Sequence, residues 1–342
     1  MTNKTITSYL PWIEKYRPKY LDDIMYHSSI LNTLKNAIAK NGLQHLLFHG
    51  PPGTGKTSTI LACAKELYGN KMDLMTLYIN ASEERGIEIV RTRILQFVNT
   101  KNIFSDDNIF KIVILDEADA MTADAQAMLR KVIEKYSSTS RFCLVCNQIK
   151  KITLALQSRC SCYRFSPLDS NSIKNKVMQI AQAENLNVTN EGIETIIKIS
   201  RGDLRKVINI LQSTSLSYNT ITCDSVIKCT GYISIADVQH ILKSLVNDSF
   251  CESYDFISQI KKQNSYALVD ILTEISGIIV TYCQNIDNTH FDSIINIDKF
   301  ILLDILNKMA EIEYNLSSCT NDDIQTSAFI GLFKRDLVKI NN

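Results

Sequence analysis

The stretch that most constrains how this chain folds is Gly50-Pro51-Pro52-Gly53-Thr54-Gly55-Lys56-Thr57. It matches the phosphate-binding loop pattern, in which a glycine and any four residues precede Gly-Lys and then Ser or Thr. The pattern predicts a buried strand over residues 43–49 and a helix over residues 58–68. In such a loop Lys56 reaches the outer phosphates, and Thr57 places its hydroxyl on Mg²⁺. The chain is therefore predicted to bind a nucleoside triphosphate.

Length and composition set the number of domains and the class of protein. A chain of 342 residues exceeds one usual core, so two or three domains are expected. The formal net charge is +1, so contact with nucleic acid requires a local basic patch. No stretch approaches a membrane span, and residues 1–4 lack the apolar core of a signal peptide. We expect a protein of the cytosol or nucleus that contacts no membrane.

The ten cysteines allow two interpretations. Most lie in apolar segments, where reduced, buried thiols are expected. Cys143, Cys146, Cys160 and Cys162 form two close pairs, which is also a spacing found in zinc sites. However, Cys143 and Cys146 fall in a predicted strand, where residues three apart point to opposite faces and cannot converge on one ion. We expect core cysteines.

The second strong motif follows the apolar run 111–115, which predicts a strand buried on both faces. The run leads directly into Asp116-Glu117-Ala118-Asp119. In folds that hydrolyse triphosphates, the carboxylate at this place holds Mg²⁺, which points to Asp116. Glu117 is then placed to orient or deprotonate the attacking water. A solvated acidic turn is the ordinary alternative.

Three further segments carry polar side chains that could approach the nucleotide. The strand predicted at 141–146 delivers Asn147, which either senses the terminal phosphate or caps the strand. Residues 11–18 contain two prolines, predict an extended segment, and either pack on the base or form a surface arm. Arg159 is either an arginine finger for a neighbouring subunit or a solvated surface group.

The remaining pattern predicts helices and one more strand. Ser166-Pro167 is a predicted hinge, beyond which strand-like runs stop. The predicted strand is 74–79, and the predicted helices are 27–40, 87–98, 123–136, 169–184, 189–200 and 203–215. Residues 233–342 are predicted to be helical, with apolar stripes suited to packing or assembly.

Together these residues resemble the small subunits of replication factor C, the eukaryotic sliding-clamp loader, within the AAA+ ATPases. The resemblance covers residues 10–230 and, more weakly, the rest. Its motifs are Pro11-Trp12-Ile13-Glu14-Lys15-Tyr16-Arg17-Pro18, the run from Asn80 to Ile87, the Asp-Glu-Ala-Asp box, Cys146-Asn147-Gln148, Ser158-Arg159-Cys160 and Gly202-Asp203-Leu204-Arg205-Lys206. The run 104–130 is most similar to the subunit numbered three in fungi and five in animals. Tyr26-His27 departs from the family pattern, which has a small residue and Gln there, and Gln148 does not follow the suggested subunit closely.

The resemblance implies a fold and a set of site residues. The implied fold is an α/β AAA+ P-loop domain with a parallel sheet flanked by helices (1–165), a helical lid (166–232) and a helical C-terminal collar for oligomerisation (233–342). The implied nucleotide-binding residues are Ile13, Arg17, Gly50, Pro51, Pro52, Gly53, Thr54, Gly55, Lys56, Thr57, Asn147 and Arg205, with Thr57 and Asp116 on Mg²⁺. Lys56 and Glu117 would be catalytic, and Arg159 would act in trans on the neighbour's ATP. Arg91, Lys150 and Lys151 would contact the DNA backbone, and Ile103-Phe104 would lie near the clamp.

The implied function is that of an ATPase subunit in a hetero-pentameric DNA clamp loader of the nucleus. ATP binding and hydrolysis would open a PCNA-like sliding clamp and load it on primer–template DNA during replication and repair. Two rivals share the site chemistry: a homo-oligomeric AAA+ DNA motor, and an assembly subunit whose ATP is mainly structural. The intact Glu117 disfavours the second rival, because a structural site could dispense with that carboxylate.

Overall fold

A computed structural model describes residues 10–24, 26–40, 42–83, 85–100, 110–284, 299–318 and 321–338. The chain divides into two compact units, one ending at Thr222 and the other beginning at Cys223. The first unit contains all of the strands found in the described residues. The division into three domains stays a prediction, because the lid helices belong to the first unit together with the sheet.

The first unit is built on a five-stranded parallel sheet with the order β2-β3-β4-β1-β5. The strands are β1 (Leu46–His49), β2 (Thr76–Asn80), β3 (Lys111–Asp116), β4 (Ser140–Cys146) and β5 (Ser161–Arg164). The first five residues of β3 are buried, as its unbroken apolar run predicts. Because the carboxyl ends of parallel strands meet at one edge, the sheet brings the loop after β1, Asp116 and Asn147 together.

Helices cover the sheet, which confirms the predicted α/β class. They are α1 (Trp12–Lys15), α2 (Ser28–Ala39), α3 (Lys56–Tyr68), α4 (Met72–Met75), α5 (Ile87–Ile89, continuing through a π segment at Val90–Ile94 and helix at Leu95–Asn99), α6 (Ala123–Tyr136) and α7 (Leu154–Gln157). The extended segment predicted at 11–18 is wrong in its centre, where α1 makes one helical turn. Pro11 lies at the N-cap and Pro18 beyond the end, positions at which proline does not break a helix.

Three helices complete the first unit, namely α8 (Ser170–Ala183), α9 (Asn190–Ser200) and α10 (Leu204–Ser217). Each begins where the sequence predicts, because Asp169, Thr189 and Asp203 accept hydrogen bonds from backbone N–H groups of the first turn. The sequence missed the two-residue strands β6 (Asn187–Val188) and β7 (Thr220–Ile221), which pair beside these helices. They are too short to show a period in the sequence.

The second unit is helical in its described residues, as predicted. Its helices are α11 (Cys223–Thr230), α12 (Ile235–Asn247), α13 (Phe250–Asn264), α14 (Leu268–Cys283), α15 (Lys299–Ser318) and α16 (Asp322–Val338). The predicted stripes supply its core, including Leu302, Ile305, Phe329 and Phe333. Among the described residues no single helix is long and apolar enough to span a membrane. Of the helices that the structure describes, α13 and α14 reach that length and composition as a pair, which is bent by 114°.

The cysteine expectation holds only in part. Cys63, Cys143 and Cys146 are buried, and burial raises the pKa of Cys143 well above its usual range. Cys162 and Cys251 are instead exposed. In the part of the chain that the structure describes, no group of three His, Cys, Asp or Glu side chains could hold a metal ion.

A partly buried acceptor on His45 predicts a pH dependence of stability. The N–H of Phe142 donates to His45 Nδ1 at 3.2 Å, so this nitrogen must stay unprotonated. Burial, and then the charge of Arg141, lowers the pKa of His45 from 6.5 to about 4. Protonation therefore favours the unfolded chain, and stability present above pH 6.5 is lost as the pH falls toward 4. After a discount for partial exposure, the loss is about 1 kcal/mol at pH 5.

The variant His45→Asn tests this dependence, because an amide oxygen accepts the same hydrogen bond without titrating. Urea unfolding of both proteins at neutral pH and near pH 5 should show a smaller acid-induced loss in the variant. Equal losses in the two proteins would exclude His45 as the source.

Candidate nucleotide site

The loop between β1 and α3 has the backbone that a phosphate cradle needs. Gly53 and Gly55 have φ values of +69° and +89°, a region that side-chain-bearing residues rarely adopt. A Cβ atom on Gly55 would lie 2.6 Å from the Tyr26 ring, and one on Gly53 would lie 1.6 Å from Asp203 Oδ1. Helix α3 begins at Lys56, so its free N–H groups and positive dipole end meet the loop. Both features favour an anion.

Lys56 is held at the centre of the loop. Its Nζ donates to the carbonyls of Gly50 and Pro51, each at 2.8 Å, and to Asn147 Oδ1 at 2.9 Å. All three acceptors are neutral, so the ammonium charge stays available to a phosphate. Burial lowers the pKa of Lys56, while the charge of Asp116 opposes the shift. The hydrogen bond to Asn147 links the phosphate-binding loop and the start of α3 to the residue that follows β4.

Asp116 accepts three hydrogen bonds from within the chain. Thr57 Oγ1 and the Tyr78 hydroxyl donate to Oδ2 at 2.8 and 2.9 Å, and the N–H of Glu117 donates to Oδ1 at 2.9 Å. The Thr57 hydroxyl and the Asp116 carboxylate are hard oxygen ligands, the kind that Mg²⁺ prefers. The residues present therefore fit the predicted metal. Tyr78 was not predicted, because a tyrosine within a strand is an ordinary feature and only its hydrogen bond places it beside Asp116.

Glu117 is exposed at the mouth of the site and has a left-handed φ of +51°. That conformation is unfavourable for a residue with a side chain and is found where a fold over-determines it, often at functional sites. Here the buried strand β3 ends immediately before it, and the turn Ala118–Ala120 begins immediately after it. The backbone thus turns at the residue predicted to act on water.

These groups line one open cleft. Its lining contains every nucleotide-binding residue predicted from the sequence except Gly50 and Pro51, whose carbonyls accept hydrogen bonds from Lys56. The lining is Ile13, Tyr16, Arg17, Pro18, Tyr26, Pro52, Gly53, Thr54, Gly55, Lys56, Thr57, Ser58, Asp116, Glu117, Asn147, Leu204, Arg205 and Ile208. The lining residues that were not among the predicted site residues are Tyr16, Pro18, Tyr26, Ser58, Leu204 and Ile208.

The N-terminal segment joins the cleft to the helices that follow the sheet. On one side it presents Ile13, Tyr16 and Arg17 to the cleft. On the other, the N–H of Trp12 donates to Gln212 Oε1 at 3.1 Å, and Lys15 pairs with Glu184 at 2.5 Å. The two alternatives left open by the sequence therefore do not exclude one another, since the segment lines the cleft and is also pinned to α8 and α10.

The other predicted residues lie outside the lining of this cleft. Arg159 is exposed, and its guanidinium donates to Glu134 Oε1 at 2.7 Å and to the Ala155 carbonyl at 2.6 Å. Arg91 is exposed and pairs with Glu88 at 3.2 Å. Lys150 and Lys151 are exposed in the turn Ile149–Lys151. Ile103-Phe104 falls outside the described residues.

Comparison with known proteins defines the class. Residues 46–168 match the family model "ATPase family associated with various cellular activities (AAA)", and residues 170–228 match an "RFC1-like, AAA+ ATPase lid domain". The Thermotoga maritima RuvB Holliday junction branch migration motor superposes with a TM-score of 0.51 over 76% of this chain and 91% of that chain. At 17% identity this likeness concerns the fold alone. The fold and the site are those of an AAA+ ATPase.

The relatives are more specific. Residues 233–331 match the "Replication factor C C-terminal domain". Replication factor C subunit 5 of mouse and of human are each 45% identical over 332 residues, covering 96% of this chain and 94% and 93% of theirs. Subunit 3 of Schizosaccharomyces pombe is 42% identical over 327 residues, covering 96% of this chain and 91% of its own. The chain belongs to the replication factor C subunit family, and the predicted likeness to subunit five of animals and three of fungi is confirmed.

Proposed function

We propose that this chain is an ATPase subunit of a hetero-pentameric DNA clamp loader, acting in the nucleus during replication and repair. The observation that carries the proposal is a cluster of polar side chains at the carboxyl edge of the sheet, linked by hydrogen bonds. Lys56 donates a hydrogen bond to Asn147, and Thr57 donates one to Asp116. The chain that holds them matches replication factor C subunits over nearly its whole length. In this role it would use ATP to help open a PCNA-like sliding clamp and load it on primer–template DNA.

Each residue of the cleft has a role in this proposal. The loop N–H groups and Lys56 would bind the phosphates of ATP, while Ile13 and Arg17 would lie at the adenine side. Mg²⁺, when bound by Thr57 and Asp116, would supply positive charge to the outer phosphates. Glu117 would orient the attacking water and take its proton. Asn147 and Arg205 would contact the terminal phosphate from the sheet and from α10.

Arg159 would serve the neighbouring subunit. It lies outside the lining of its own cleft and on the surface, where a partner's nucleotide can reach it. A guanidinium that approaches the transferring phosphoryl group stabilises its developing charge. Since each active site would then be split between two chains, the isolated subunit is expected to be a poor ATPase.

DNA contacts would come from exposed cations. With a formal net charge of only +1, the chain depends on local groups such as Arg91, Lys150 and Lys151. Contacts of this kind bind phosphates, read no base sequence and weaken as salt rises. The likeness to the RuvB motor adds no second candidate function, because it extends to the fold alone.

The variant Lys56→Ala in an assembled loader tests the proposal. Without the ammonium, this subunit should bind ATP at least about 100-fold more weakly, the order expected when charged hydrogen bonds to phosphate are lost. Clamp loading, measured as closed clamps retained on primed DNA, should fall accordingly. Lys40→Ala, at the exposed C-terminal end of α2, is the matched control and should load normally. Full loading by the Lys56 variant would contradict the proposal.

A further inference from the structure

Tyr78 lies on β2, the strand at one edge of the sheet, directly beside β3. The two strands are parallel, with Tyr78 opposite Ile114 and Asn80 opposite Asp116. Side chains two residues apart on a strand share a face, so Tyr78 is a diagonal neighbour of Asp116. Its hydroxyl uses that position to donate to Asp116 Oδ2 at 2.9 Å.

The hydrogen bonds of Asp116 leave little freedom to its carboxylate. A carboxylate offers about four acceptor sites, two on each oxygen. Thr57 and Tyr78 fill both sites on Oδ2, and the Glu117 N–H fills one on Oδ1. One acceptor site on Oδ1 remains beyond these three bonds. The carboxylate plane is thereby fixed from two sides.

The fixed orientation of Asp116 matters because Lys56 is nearby. Lys56 lines the same cleft as Asp116 and is the neighbour of Thr57, whose hydroxyl donates to that carboxylate. A carboxylate free to rotate can turn toward the Lys56 ammonium and form an ion pair. Such a pair would occupy the oxygen that a metal needs and the cation that a phosphate needs. The phenol of Tyr78 opposes this rotation, because the carboxylate could turn only by breaking the hydrogen bond from Tyr78 to Oδ2.

We propose that Tyr78 is a positioning residue for Mg²⁺, whose hydroxyl holds the Asp116 carboxylate in a metal-ready orientation. The inference rests on the proposed function, because it takes Asp116 as the metal-binding carboxylate. Thr57 is itself a proposed metal ligand, so its hydroxyl cannot be assigned to orienting Asp116 alone. When Thr57 turns to the metal, Tyr78 is the side chain that still donates to Oδ2, while the Glu117 N–H donates to Oδ1.

The test is a Mg²⁺ titration of the full chain with a fluorescent ATP analogue. The variant Tyr78→Phe keeps the ring and removes only the hydroxyl. Its apparent Kd for Mg²⁺ should rise about tenfold, the order expected for one hydrogen bond to a charged group. Binding of the analogue in EDTA should stay within about twofold of the wild type, because Tyr78 is assigned no role toward the phosphates. A thermal melt checks that both proteins are equally folded.

Two further variants separate the possible failures. Tyr68→Phe removes a phenol that donates to the Phe110 carbonyl at 2.6 Å, outside the cleft, and should leave the Mg²⁺ titration unchanged. Asp116→Asn should abolish the dependence on Mg²⁺. If Asp116→Asn does so while Tyr78→Phe titrates like the wild type, the positioning role of Tyr78 is overturned. If Asp116→Asn itself titrates like the wild type, the assignment of the metal site fails, and the inference fails with it.

Discussion

Replacing Glu117 by Gln is expected to stop hydrolysis at this subunit's site while leaving ATP binding intact. The amide has the shape of the carboxylate but cannot take a proton from water, and loss of a general base costs about 100-fold or more in rate. The left-handed φ of +51° at this position is equally strained for both residues, so the turn after β3 should keep its form. In a single-turnover experiment, the assembled loader should hydrolyse one ATP fewer per complex.

The matched control is Asp124→Asn, which removes an exposed carboxylate from the first turn of α6. It should hydrolyse the full complement of ATP. A Glu117→Gln loader that also hydrolyses the full complement would show that this site does not turn over in the wild type. Its ATP would then be structural, and the corresponding rival would replace the proposed function.

Replacing Arg159 by Ala is expected to stop hydrolysis at a different site, the one on the neighbouring subunit. An arginine finger contributes about 1,000-fold or more to phosphoryl transfer. ATP binding to this chain should be unaffected, because Arg159 lies outside the lining of its own cleft. The double variant Glu117→Gln, Arg159→Ala should therefore hydrolyse two ATP fewer per complex. If Arg159 served its own chain, the double variant would lose no more than either single one.

The pairing of Arg159 with Glu134 supplies a control for this experiment. The contact at 2.7 Å raises the question whether Arg159→Ala acts only by breaking an ion pair within the chain. The variant Glu134→Ala breaks the same pair and keeps the arginine. It should retain hydrolysis at the neighbouring site. If it loses hydrolysis as Arg159→Ala does, the arginine is structural and the assignment in trans is wrong.

The fold and the site were predicted most accurately where one sequence motif constrains the positions of many atoms. The phosphate-binding loop required a strand before it, a helix after it and glycines with unusual backbone angles, and the structure has all of them. Parallel strands then brought Asp116 and Asn147 to the same edge from distant parts of the chain. The starts of helices were also predictable, because a capping side chain contacts the backbone within its own helical turn.

The features that the sequence did not predict depend on single contacts or on the placement of single residues, which leave little trace in the sequence pattern. Strand β5 reads Ser-Cys-Tyr-Arg, half exposed at the sheet edge, with no apolar run to reveal it. The turn of α1 depends on prolines falling at its ends, a matter of one residue's placement. Tyr78 and Glu134 became visible only through their partners, since a tyrosine in a strand and a glutamate on a helix are ordinary features.

In the proposed function, this chain works as one of several different subunits. The most direct test is to purify it with a tag from its native source and to determine the mass and composition of the intact assembly. We expect one copy of this chain with four distinct partner chains, and a sliding clamp that joins when ATP is present. An assembly of identical copies of this chain, with no clamp bound, would contradict the proposed function.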